Sequence, residues 1–120
     1  MKKNYVIDTN VLIDNPECID ILRNGEENNV FLSIDVIHEL DSLKKNERLR
    51  HLINAAINNI NKNLDYITII GEIDFQKKND LKILKQIKDS KEIDNPILVT
   101  NDEIFKLYSK ITDVNCENFK

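Results

Sequence analysis

Cysteine is scarce in this chain: Cys18 and Cys116 are the only two, they stand far apart, and neither belongs to a C-x-x-C pair. That excludes a disulfide framework and a zinc knuckle, and it makes a reducing, cytoplasmic setting the expectation. Neither thiol has a neighbouring histidine or basic cluster that would mark it as activated, so burial as a small apolar side chain is expected for both. No apolar run approaches the length of a membrane span, and "MKKNYVID" turns into strand too soon to be a signal peptide. With two glycines and two prolines there is no Pro/Ser-rich linker, and nothing resembles a phosphate-binding loop. Positive charge is also lacking as a global property: the formal net charge is -4, so any polyanion must be attracted by a local field. The few aromatics, from Tyr5 to Phe119, fall mostly within expected core elements and form no base-stacking platform.

What is present is an ordinary globular composition, 41% apolar and 32% charged with the signs mixed. This fits a single domain over residues 1–120. Four β-rich runs stand out at 5–7, 30–34, 66–70 and 96–100, with a weaker fifth at 111–115. Helical periodicity fills the gaps. "PECIDILRNG" places Pro16 near a helix start and Gly25 at its stop. Val36, Leu40 and Leu43 recur at helical spacing over 35–45, and Leu49, Ile53, Ala56, Ile57 and Ile60 make a longer stripe. A further helix is expected over 79–89, and one more at "DEIFKLYSK". Strands alternating with helices, some of them apolar throughout, imply a three-layer α/β/α sandwich around a mainly parallel sheet of four to five strands.

In such a sheet, sites form beyond the carboxyl ends of the strands. Asp8 directly follows "YVI" and Asp102 follows "PILVT" by one residue, so both are expected at that edge. Asp80 sits three, four and seven residues before Ile83, Leu84 and Ile87, on the apolar stripe of its helix. Glu39 lies three residues after Val36 and four before Leu43, which also puts it beside a buried stripe. Each acid has a plain structural explanation as well. Asp80 and Asp102 can cap helices, Asp8 can open a turn, and Glu39 can be a surface residue whose stem lies along the protein. Taken together, four carboxylates at one edge repel one another unless a divalent cation neutralises them. An oxygen-only set without Cys or His suits Mg²⁺ or Mn²⁺ rather than Zn²⁺.

At these residues the chain resembles a PIN domain, a metal-dependent nuclease fold. "YVIDTNVLID" resembles its opening strand with the first acid, "LSIDVIHELDSL" the segment carrying its glutamate, "NDLKIL" the stretch with the third acid, and "ILVTND" the strand with the fourth. "DTNVLIDNPECI", "IHELDSLKK" and "VTNDEIFKLYSKITDVNCENF" look most like the PIN domain of PhoH-type ATPases, and VapC-type toxins share the four acids. The resemblance implies a metal-dependent endoribonuclease in which Asp8, Asp80 and Asp102 hold Mg²⁺ or Mn²⁺. Glu39 completes the catalytic set by orienting or deprotonating the attacking water. Thr9 and Asn10 resemble the polar companions of the first acid, and Thr100 the small hydroxyl residue that holds a water or the fourth acid. Lys82 and Lys85 depart from the alanines that often follow the third acid. Asp94, the other candidate for that role, precedes a strand and so falls at the opposite edge. The implied partners are an RNA substrate, a second copy of the chain, and an antitoxin or a fused ATPase.

A local field for RNA is available in "KKNERLRH", where Lys44, Lys45, Arg48 and Arg50 follow the helix carrying Glu39. A solvated basic loop explains the same residues. "HELDS" lacks the second histidine of a zinc-protease motif. Two other functions compete with the nuclease. One is a PIN-like module that binds RNA or protein with little turnover. The other is a receiver-type phosphoacceptor domain, which wants adjacent acids after the first strand and a lysine after the fifth; Asp8 stands alone, and no such lysine follows Val114.

Overall fold

The computed structural model describes residues 2–71, Ile87 and 93–119. The helix expected over 79–89 lies outside these residues except for Ile87, which is helical and buried. Five strands form one sheet, β1 (Asn4–Ile7), β2 (Asn29–Ser33), β3 (Ile67–Ile70), β4 (Pro96–Val99) and β5 (Asn115–Glu117), in the spatial order β3-β2-β1-β4-β5. Every neighbouring pair is parallel. The central strands are apolar on both faces: Tyr5, Val6, Ile7, Val30, Phe31, Leu32, Leu98 and Val99 are all buried. A strand buried on both sides has no polar face to alternate with, which is why these runs read as continuous apolar blocks.

Between β1 and β2 the chain forms α1 (Thr9–Asp14) and α2 (Cys18–Arg23). Between β2 and β3 it forms α3 (Ile34–Leu43), α4 (Arg50–Lys62) and a 3₁₀ turn (Leu64–Tyr66). A last helix, α5 (Glu103–Ile111), joins β4 to β5. Helices α1 to α4 pack against one another, whereas α5 packs on β5. Parallel crossovers are right-handed, and the chain runs outward from β1 first through β2 and β3, then through β4 and β5 on the other side. The two groups of helices therefore cover opposite faces of the sheet, as the three-layer expectation requires.

Three differences from the sequence reading have physical causes. Residues 9–14 form a short helix where the sequence shows only an apolar run. Val11, Leu12 and Ile13 are consecutive and all buried, and with only Asn10 and Asp14 exposed the six-residue helix is too short for a helical period to show. The fifth strand lies at 115–117 rather than 111–115. The α5 helix continues through Ile111, and Asp113 turns the chain with φ 62 before the strand begins. Tyr66 is 60% exposed in the 3₁₀ turn, where the Arg23 guanidinium lies 4.2 Å from its ring centre, and so is not a core residue.

Candidate active site

The reversal of strand order falls between β1 and β4, where one half of the sheet builds outward from each. Such a point leaves a crevice beyond the strand ends because the two following connections depart to opposite faces. Asp8 and Thr100 are the first residues past β1 and β4, and the Asp8 N–H continues the ladder by donating to the Val99 carbonyl at 2.9 Å.

Asp8 is buried, 2% exposed. It is also the N-cap of α1, with extended backbone (φ -73, ψ 152) and Oδ1 accepting from the Thr9 N–H at 2.8 Å. Its other oxygen, Oδ2, accepts from the Thr100 hydroxyl at 2.8 Å. A carboxylate withdrawn from water needs such charge-assisted bonds, and their two directions fix its plane. Thr100, also buried, accepts in turn from the Asp102 N–H at 3.1 Å. Asp102 caps α5, its Oδ1 accepting from the Ile104 N–H at 2.9 Å and from the Phe105 N–H at 3.4 Å. On the other side of Asp8, the buried Thr9 hydroxyl donates to Glu39 Oε2 at 2.8 Å. Glu39 is half-buried in the middle of α3. One hydrogen-bonded chain thus runs Glu39–Thr9–Asp8–Thr100–Asp102, joining α3, α1 and α5 across the ends of β1 and β4.

The loop bearing Thr100 and Asp102 is braced by the last strand. The Thr100 N–H donates to the Glu117 carbonyl at 3.1 Å, and the Asn101 side chain bonds both ways to the Phe119 backbone, at 2.9 and 3.2 Å.

The structure therefore brings Asp8, Thr9, Glu39, Thr100 and Asp102 together. Asp80 lies outside the described residues. Among the described residues, no three Asp, Glu, His or Cys side chains form a group able to hold a metal ion. Asn10 is exposed on α1 and takes no part in the chain of bonds above. Lys44, Lys45, Arg48 and Arg50 are exposed in and after the turn that ends α3. Asn46 orders that turn by accepting from the Arg48 N–H at 3.0 Å, and Arg50 Nε reaches the Lys44 carbonyl at 3.4 Å. Asp94 precedes β4 at the opposite edge.

Asp35, one acid the sequence reading passed over, is fully buried in the first turn of α3, just past β2 at this same edge. Its sequence signal was its place two residues after Ser33, whose hydroxyl caps the helix by accepting from the Asp35 N–H at 3.2 Å. The side-chain donors gathered here are oxygen only, and Thr100 bonds the Asp8 carboxylate on one side and the Asp102 backbone N–H on the other.

A family model described as "PIN domain" matches residues 5–120. No curated protein matches the chain. Among solved structures, a domain of a functionally unknown protein from Methanocaldococcus jannaschii DSM 2661 is similar, with 20% identity and a TM-score of 0.71 over 98% of this chain and 91% of that one. The PIN domain of human SMG5 is 23% identical, with a TM-score of 0.60 over 96% and 91% of the two chains. VapBC2 from Rickettsia felis, solved bound to a DNA fragment from its promoter, is 19% identical with a TM-score of 0.50, over 98% of this chain and 99% of that one. At these identities the likeness concerns the fold.

Proposed function

The chain belongs to the PIN-domain family, whose members are typically metal-dependent nucleases, and on that premise we propose that it is an endoribonuclease cleaving single-stranded RNA. The observation that carries this reading is the bonded chain from Glu39 through Thr9, Asp8 and Thr100 to Asp102 at the strand-order reversal. Asp8 and Asp102, with Asp80, would hold Mg²⁺ or Mn²⁺. Such an ion supplies charge neutralisation for the phosphodiester and lowers the pKa of water.

The side chains have separate tasks. Asp8, fixed in plane by the Thr9 N–H and the Thr100 hydroxyl, offers its charge in one orientation. Thr9 holds one oxygen of Glu39, so that this carboxylate is aimed when it orients or accepts a proton from the attacking water. Asp102 stands at the start of α5, tied to Asp8 through Thr100. The product expected from the family is a 5′-phosphate. Lys44, Lys45, Arg48 and Arg50 would gather the phosphate backbone, and their exposure beyond the helix that carries Glu39 supports that role.

The PhoH-like sequence flavour, a second copy of the chain, and restraint by an antitoxin or a fused ATPase belong to the same proposal. The fold likeness to VapBC2 supports the antitoxin arm. No helix among the described residues is long and apolar enough to cross a membrane.

End-labelled single-stranded RNA, incubated with the protein in Mn²⁺, in Mg²⁺ and in chelator, tests the reading. Cleavage is expected with either metal, none in chelator, and none with Asp8→Asn. Cleavage that persists in chelator sinks the proposal. Binding of RNA without cleavage under every metal condition replaces it with the PIN-like binding module.

A further inference from the structure

Among the described helices only α4 carries no carboxylate. Its inner side buries Ile53, Ala56 and Ile60. At 100° per residue the opposite side is lined by His51, Ala55, Asn58 and Lys62, with Asn54 and Asn61 on one flank. All of these are exposed except the half-buried Ala55. With the turn before it and the residues just after it, 44–64, this stretch holds Lys44, Lys45, Arg48, Arg50 and Lys62 against a single acid, Glu47, in a chain whose formal net charge is -4. A face of amides between two cationic ends attracts a polyanion locally and repels it nowhere along its length.

The far end of this face holds a prepared aromatic. Tyr66 is 60% exposed in the 3₁₀ turn that follows α4, with the Arg23 guanidinium 4.2 Å from its ring centre. Arg23 is tied in place: its Nη1 donates to Asn63 Oδ1 at 3.4 Å, and the buried Asn63 donates from Nδ2 to the Asn59 carbonyl at 2.9 Å. Packing alone would favour burying the ring. Here a buried amide fixes the cation while the aromatic stays in water, an arrangement suited to stacking a base. We propose that the exposed face of α4 is a track for single-stranded RNA, along which the strand runs from the basic turn near the catalytic carboxylates to a base stacked on Tyr66.

The inference rests on the nuclease reading for its substrate and gives that substrate a path. Lys44 lies five residues beyond Glu39 in α3, about 8 Å along the helix axis. The 13 residues of α4 then return the chain to the amino edge, where β3 begins. They span about 20 Å, so the whole path takes roughly eight nucleotides at the stacked rise of about 3.4 Å. An acidic peptide could pair with the cations at either end, but it has no planar group for the Tyr66–Arg23 stack. Bases held in a duplex are equally unable to stack there, which selects an unpaired strand.

Fluorescence anisotropy in chelator reads this track by binding rather than by cleavage. Labelled oligouridylate of about 15 nucleotides should bind at least tenfold more tightly than one of about 5. Tyr66→Ala should weaken the longer probe about tenfold and leave the shorter unchanged, whereas Tyr66→Phe should keep the wild-type affinity. Lys62→Glu should weaken the longer probe about tenfold, while Lys110→Glu, the same reversal near the end of α5, should change it less than about twofold. Circular dichroism checks that each variant is folded. Failure of the longer probe to bind, or equal losses from the two lysine reversals, overturns the inference. So does displacement of the probe by polyglutamate as readily as by unlabelled RNA, which would give the face to an acidic protein. These failures leave the nuclease reading to its own cleavage assay, and tight binding of the longer probe without cleavage in any metal removes that reading while upholding the track.

Discussion

The two edges of the sheet use the same small polar residues in opposite ways. At the amino edge, Asn24, Asn95 and Asp113 stand shortly before β2, β4 and β5, and all three have positive φ, from 48° to 62°. They are exposed and turn the chain. At the carboxyl edge, Asp8, Thr9, Ser33, Asp35 and Thr100 end or follow β1, β2 and β4, and all five are buried. Asn and Asp tolerate the left-handed region because their short polar side chains bond locally. At the other edge that same capacity is spent on neighbouring elements: Asp8 bonds to Thr100, 92 residues away, and Thr9 to Glu39, 30 residues away. An edge that merely turns the chain has no reason to withdraw carboxylates from water, and this contrast, more than any single acid, marks where chemistry belongs.

The contrast breaks first at Asp8. Asp8→Asn keeps the shape and the N-cap but removes the charge, and cleavage of labelled RNA should fall roughly a thousandfold while the melting temperature changes little. Asn serves this test better than Ala, which would also discard the cap and both side-chain bonds. Thr100→Val leaves Asp8 Oδ2 and the Asp102 N–H each short of a buried partner. It should cost about 1–3 kcal/mol in urea unfolding. Thr9→Val should lower kcat by about 10–100-fold with KM nearly unchanged, and Thr9→Ser should recover most of that loss. If Thr9→Val behaves like the wild type, Glu39 does not depend on it.

At the amino edge the sign is different. Asn24→Ala should destabilise by about 1 kcal/mol, Asn24→Gly should not, and neither should alter cleavage. The smallest effect is on Cys18, away from both edges, whose thiol burial pushes up to about 12 from an ordinary 9.0. The folded thiol stays neutral where the unfolded one ionises, so stability is intact below pH 9 and declines as pH rises from there toward 12. Iodoacetamide at neutral pH should leave Cys18 unmodified until the protein is unfolded.

Much of this architecture was legible because its signals are local. Asp102 caps the helix expected at "DEIFKLYSK", and the four stronger strands lie within a residue or so of their apolar runs. What escaped was set by distant packing. The α1 helix buries three consecutive apolar residues against α2, α3 and α4 and exposes only Asn10 and Asp14, too few positions to mark a period. Asp35 went unread because nothing adjacent to it in sequence signals its complete burial. The positions of Asp8 and Asp102 at one edge followed from strand direction alone, but the hydroxyl of Thr100 that joins them is a tertiary fact. The acids' assignment to the PIN pattern came from resemblance, and its member at Asp80 lies outside the described residues.

The brace between β5 and the Thr100–Asp102 loop has a practical consequence. Glu117 and Phe119 hold that loop through backbone atoms, so whatever pulls on the tail is felt two or three bonds from the acids. Trimming by a protease behind Val114 would loosen the pocket without touching a carboxylate. For the same reason, an affinity handle or fluorescent fusion belongs at the front of the polypeptide, where Lys2 and Lys3 lie exposed at the far side of the sheet.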